Sequence, residues 1–214
     1  MLQQLARFEV DGVTLEADVT IPQDATGLVL FVHGSGSSRH SARNQYVARS
    51  LREHRLGTVL TDLLTASEER VDSMTGHLRF DIGFLARRVV AIVDQLRQDS
   101  TLPLGLFGAS TGAAAALVTA AERPADVRAV VSRGGRPDLA GDALPLVTAP
   151  TLLIVGGADR EVLELNRQAM ARMRAQVRLE IVPGATHLFE EKGALEQAAA
   201  LAAAWFMSHL KKSN

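Results

Sequence analysis

Gly108-Ala109-Ser110-Thr111-Gly112 stands between a short apolar run, Leu102 to Phe107, and an alanine-rich run that begins at Ala113. The apolar run suits a strand buried on both faces, and the alanine run suits a helix. A serine held at a sharp strand-to-helix turn needs small residues two positions to either side, where backbones would otherwise clash. Gly108 and Gly112 meet that need, so the pentapeptide reads as a nucleophile elbow with Ser110 at its tip. The competing reading is an ordinary glycine turn, and residues elsewhere in the chain decide between the two.

On both sides of the elbow the chain is punctuated as strand, helix, strand. Leu28–Val32, Thr58–Leu63, Ala129–Ser132, Thr151–Val155 and Arg178–Val182 are further short apolar runs. One-sided helical periodicity appears at Ile82, Leu85, Val89, Ile92, Val93 and Leu96, at Val162, Leu165, Ala169 and Met173, and at Leu195, Ala198, Leu201, Ala202, Trp205 and Phe206. Arg43–His54 is a weaker helical candidate. Arg7–Ile21 alternates around an Asp11-Gly12 turn, as in an antiparallel hairpin. The expected fold is α/β, a mostly parallel central sheet with an antiparallel N-terminal hairpin and helices on both faces. Thr65–Gly76, the longest polar connection, reads as a mobile loop, with a cover over the site as the alternative. No segment is long enough for a cap domain.

A length of 214 residues with 47% hydrophobic content suits a single domain over residues 1–214. A formal net charge of −1 provides no overall field to hold nucleic acid or an anionic membrane, so neither is expected as a partner. The absence of cysteine excludes disulfides, thiolate metal sites and a cysteine nucleophile. Met1–Val10 lacks the apolar core of a signal peptide, and no run of about 18 apolar residues occurs, so a cytoplasmic protein is expected.

A serine hydroxyl is a weak nucleophile until a base takes its proton, and the base needs an orienting group. Of six histidines, His187 follows the strand-like run ending at Val182 and precedes the last helical segment. Asp159 follows the Leu152–Val155 run through Gly156-Gly157-Ala158, at the strand end where sites gather in α/β sheets. Asp138 and Asp142 also lie between serine and histidine, and Asp159 has a competing role as a helix cap. The oxyanion of an acyl-transfer site would find one donor in the Thr111 backbone N–H and a second in Ser35, with Gly36 as the alternative. His33, directly after a strand, fits a structural hydrogen-bonding role better than that of a base. Neither a phosphate-cradling glycine pattern nor H-E-x-x-H-type spacing is present, so no cofactor or metal is expected.

The strand leading to His33-Gly34, together with Gly108-x-Ser110-x-Gly112, Gly157-x-Asp159 and Gly184-x-x-His187, resembles the α/β-hydrolase superfamily over most of the chain. His33-Gly34-Ser35-Gly36-Ser37-Ser38 and Gly184-Ala185-Thr186-His187-Leu188-Phe189 look most like its dienelactone hydrolase-like branch. The nucleophile of that branch is often cysteine, and Ser110 points toward its broader esterase-like relatives. Arg39–Asn44 and Ser132–Asp138 are similar to segments of bacterial hydrolases in this branch, including ones fused to phosphoribosyltransferase domains. The resemblance implies a serine hydrolase that cleaves a small ester, thioester or lactone through an acyl-enzyme on Ser110. The alternative is a non-catalytic binding or regulatory protein on the same fold. Arg39, Arg133 and Arg136 follow strands at the catalytic end; Arg39 and Arg133 are the candidates for contact with an anionic small-molecule substrate. The Ala198–Leu210 helix is open to two uses, packing on its own sheet or forming a homodimer face.

Overall fold

The computed structural model describes residues 1–34 and 37–211. Its centre is an eight-stranded sheet in the order β1-β2-β4-β3-β5-β6-β7-β8. The strands are β1 (Leu2–Val10), β2 (Val13–Ile21), β3 (Gly27–Val32), β4 (Leu56–Thr61), β5 (Leu104–Ala109), β6 (Val127–Arg133), β7 (Thr151–Gly156) and β8 (Val177–Val182). The pairs β1/β2 and β2/β4 are antiparallel, and all other neighbours are parallel. The hairpin is longer than the alternation suggested, running in register from Leu2↔Ile21 to Val10↔Val13.

The continuous apolar runs arise because the central strands are covered on both faces. Along β3, Leu28, Leu30 and Val32 enter one core while Val29 and Phe31 enter the other. Helices α4 (Ile82–Asp99) and α5 (Thr111–Glu122) fill the first core; α1 (Ala42–Glu53) and α7 (Ala194–His209) fill the second. Helix α6 (Arg160–Arg172) adds Ala169 to the first core. Between β6 and β7 lies a 3-10 segment over Pro137–Leu146, which Pro137 opens. No described helix is long and apolar enough to cross a membrane.

Thr65–Gly76, read from the sequence as a loop, holds a helix between its two end residues. Helix α2 (Ala66–Thr75) opens on a capping box, in which the Thr65 side chain accepts from Glu68 N–H and the Glu68 carboxylate accepts from Thr65 N–H. It closes on Gly76 in the left-handed conformation, after which α3 (His77–Phe80) follows. Two ion pairs fasten it. The fully buried Arg88 of α4 donates to both oxygens of Glu68 at 2.7 Å and to Leu63 O at 2.6 Å. The buried Asp72 takes Arg79 Nε at 2.6 Å and Leu78 N–H at 2.7 Å.

Chain order reverses between β3 and β5: from β3 the chain moves outward to β4, then returns to β5 on the other side. Crevices in open α/β sheets form at such a switch, beyond the carboxyl ends of the strands. Here the loops after β3 and β5 meet.

Candidate active site

Ser110 sits between β5 and α5 with φ 51° and ψ −128°. A non-glycine residue held there stores about 1–3 kcal/mol of backbone strain, which only the surrounding packing can enforce. That packing is visible at both glycines. A Cβ on Gly108 would lie 2.5 Å from Ala113 Cα, and one on Gly112 would overlap the carbonyls of Val32 and His33. Ser110 is the N-cap residue of α5, yet its side chain makes no capping bond. Its carbonyl is fixed instead, accepting from Ala113 N–H at 3.1 Å and Arg136 N–H at 3.0 Å. The hydroxyl is thus free of the helix and faces a cleft of about 210 Å³ shared with Gly34, Arg43, Arg133 and His187.

His187 lies on the loop between β8 and α7, and its Nδ1–H donates to Asp159 Oδ2 at 2.7 Å. The donor assignment follows from the carboxylate, which can only accept, and it leaves Nε2 as the acceptor. Glycine again permits the approach: a Cβ on Gly156 would overlap the carbonyl of Ala185, and Ala158 N–H donates to that carbonyl at 2.9 Å. Glu191 secures the loop by accepting from Thr186 Oγ1 at 2.6 Å and Thr186 N–H at 3.0 Å. The Thr186 hydroxyl, then backbone N–H groups, hold the Glu191 carboxyl below its ordinary range. The side chains of His187 and Ser110 line one cleft without a direct hydrogen bond among the described residues.

The competing acids are occupied. Asp138 takes both ends of Arg136 at 2.9 and 2.8 Å, and Asp142 faces Arg172 at 3.1 Å. Asp159 holds the N-cap position of α6 but makes no capping bond with its side chain. Thr111 begins α5, where backbone N–H groups lack intrahelical acceptors and the helix dipole is positive. Ser35 and Gly36, the sequence candidates for the second donor, lie outside the described residues.

His33 is buried, with Nε2 accepting from Leu63 N–H at 3.0 Å and Nδ1–H donating to Gly34 O at 2.9 Å. Burial pushes its pKa down, so it ties the β3 loop to the end of β4 as a neutral ring.

The two candidate arginines part company. The Arg39 guanidinium contacts Asp62, Glu16 at 2.7 Å and Asp18 at 3.7 Å. It faces a separate, larger cleft of about 740 Å³, walled partly by Thr65, Ala66 and Glu69 at the start of α2. Ser37 lines both clefts. Arg133, at the end of β6, shares the cleft of Ser110 and is only 8% exposed. Its Nη2 reaches Asn44 Oδ1 at 3.4 Å, its Nη1 has no partner among the described residues, and Phe107 and Phe189 flank it at 5.8 and 6.0 Å. Burial, then the neighbouring Arg43, pushes its pKa down to about 10. Sequence reading missed Arg43, Asn44 and Glu191 as parts of the site; the first two lie in the Arg39–Asn44 segment noted for its resemblance, which assigned them no role. Among the described residues, no group of three or more His, Asp or Glu could hold a metal ion.

A sequence profile of the Dienelactone hydrolase family matches residues 44–212. The chain belongs to that family. The dienelactone hydrolase from Anabaena variabilis is 55% identical, with a TM-score of 0.95 over 98% of this chain and 99% of that one. A lidless α/β serine hydrolase from Xanthomonas campestris, 22% identical, has the same fold, with a TM-score of 0.79 over 99% of this chain and 97% of that one. Two Mycobacterium tuberculosis proteins named "Putative phosphoribosyl transferase" are 55% identical over 201 residues, 92% of this chain and 44% of theirs. This dienelactone hydrolase family chain therefore spans less than half the length of the curated relatives it matches.

Proposed function

We propose that the chain is a serine hydrolase acting on a small ester, thioester or lactone through an acyl-enzyme. The observation that carries this reading is Ser110, strained at the elbow with its hydroxyl uncapped, in one cleft with a histidine already fixed by a carboxylate. His187 Nε2 takes the Ser110 proton as Oγ attacks the carbonyl, and Asp159 keeps the ring in the tautomer that can do so. The Thr111 N–H, with a donor from the loop after β3, stabilises the oxyanion. His187 returns the proton to the leaving group, and water then releases the acyl group by the same route in reverse. A cleft of about 210 Å³ favours a small acyl compound.

The test is labelling with a fluorophosphonate probe alongside hydrolysis of acyl esters of graded length. Wild type should label and hydrolyse, and Ser110→Ala should do neither. A folded wild type that neither labels nor hydrolyses would overturn the proposal in favour of a non-catalytic binding role.

A further inference from the structure

Thr111 follows the nucleophile, and its hydroxyl is the odd group of the elbow. The residue is 1% exposed, and among the described residues its Oγ1 has no hydrogen-bond partner. A valine has the same shape without the cost of burying an unpaired hydroxyl, so packing gives no reason for threonine. The side chain lines a small cavity of about 10 Å³ shared with His33, Gly34, Glu69, Asp72 and Arg79. That is room for one water, which needs two or more polar partners to stay.

Most polar atoms around the cavity are already engaged. Both ring nitrogens of His33 are bonded, and the Asp72 carboxylate takes the Arg79 side chain and two backbone N–H groups. Glu69 is the exception. Glu68 beside it pairs with Arg88, whereas the half-buried Glu69 has no ion pair or side-chain hydrogen bond among the described residues. A donor and an acceptor therefore share one water-sized space, the Thr111 hydroxyl from the elbow and the Glu69 carboxylate from α2. The peptide joining Ser110 to Thr111 shows what a link between them would do. Its carbonyl is fixed by Ala113 N–H at 3.1 Å and Arg136 N–H at 3.0 Å, and its N–H, on the opposite side of the trans plane, is the proposed oxyanion donor. A hold on the Thr111 side chain fixes the other end of that plane.

We propose that the cavity binds one water, which accepts from the Thr111 hydroxyl and donates to the Glu69 carboxylate, and that this bridge aligns the Thr111 N–H with the oxyanion. The Thr111 hydroxyl and Glu69 are positioning groups, since they act through that N–H. The effect on rate rests on the hydrolase reading above, whereas the bridge itself rests on the cavity alone.

Thr111→Val keeps the backbone N–H and the side-chain shape and removes only the hydroxyl. It is compared with wild type, Thr111→Ser, Glu69→Met and the Thr111→Val, Glu69→Met double variant on the p-nitrophenyl ester that wild type cleaves fastest. Thr111→Val should lower kcat about tenfold, against the roughly hundred- to thousandfold lost with a whole oxyanion donor, and leave KM within about twofold. Thr111→Ser should recover most of the loss. Glu69→Met should match Thr111→Val, and the double variant should lose no more than either, because both remove one bridge. An unchanged kcat in Thr111→Val, no recovery in Thr111→Ser, or multiplied losses in the double variant would overturn the proposal and leave the hydrolase reading intact. Melting decides independently of turnover. A bridged hydroxyl should make Thr111→Val melt a few degrees below wild type, with faster amide exchange across residues 66–75. An orphaned one would let the variant melt at or above the wild-type temperature, and that result overturns the bridge. If wild type cleaves no ester, the hydrolase reading falls, and the melting arm still decides the bridge.

Discussion

Two arginines, one on the loop after β3 and one ending β6, have opposite surroundings. Arg39 is neutralised by Asp62, Glu16 and Asp18 and helps wall the larger cleft. Arg133 is more deeply buried, pairs with no carboxylate among the described residues and lines the smaller cleft with Ser110. A paired cation reports on how the fold is held, whereas an unpaired one is a charge that the fold leaves uncompensated. Cleft volume points the wrong way here: the larger cleft has the arginine whose charge is already spent, and the smaller has the strained serine.

The contrast breaks first if the chemistry is not in the smaller cleft. Ser110→Ala should lower kcat/KM for any ester hydrolysed by at least about 10⁴-fold, and Asp159→Asn by about 10⁴-fold through loss of the correct His187 tautomer. Steady-state kinetics on folded variants checks both, and a loss below tenfold would remove Ser110 from the reaction.

A stability difference comes next in size. Arg39→Met leaves three neighbouring carboxylates without their shared cation and should cost about 1–3 kcal/mol, lowering Tm by several degrees in thermal unfolding. Equal melting of Arg39→Met and Arg133→Met would erase the distinction between the two sites.

The wall of the larger cleft offers a pH test. The Arg88 guanidinium, chiefly through its hydrogen bonds, holds the Glu68 carboxyl below its ordinary range. A carboxyl depressed on folding contributes stability above its unfolded pKa and loses it as pH falls through the folded value. Amide exchange across residues 66–75 should therefore be flat from pH 7 to about 5, after correction for intrinsic rates, and rise below about pH 4. The smallest effect is expected from Thr65→Ala, which removes one cap and should cost about 1 kcal/mol, seen as faster exchange in the first turn of α2 alone.

Much of the frame was legible in the chain because burial on both faces writes itself as continuous apolar runs, as in β3 and β5. The elbow was legible because its glycines are demanded by backbone overlap, independent of distant partners. Asp159 could be nominated by its place after a strand, but only its hydrogen bond to His187, together with the pairing of Asp138 with Arg136 and of Asp142 with Arg172, separates it from the other two acids. Helix α2 was misread because its apolar face is slight; the Thr65-x-x-Glu68 box was present and was the signal to weigh. The fates of Arg39 and Arg133 were illegible for a different reason. Which side of a loop a side chain takes, and whether Phe107 and Phe189 shut out water around it, depends on segments far apart in the chain.

The order of these segments has a consequence for biosynthesis. Ser110 emerges from the ribosome well before β7 and β8, which belong to the same sheet, and before the loop bearing His187. On the proposed mechanism the hydroxyl has no base within reach until β8 joins the edge of the sheet and the loop bearing His187 follows it. On that mechanism a prematurely terminated chain would carry a serine no more reactive than one on any surface, and interrupted translation would yield an inert fragment.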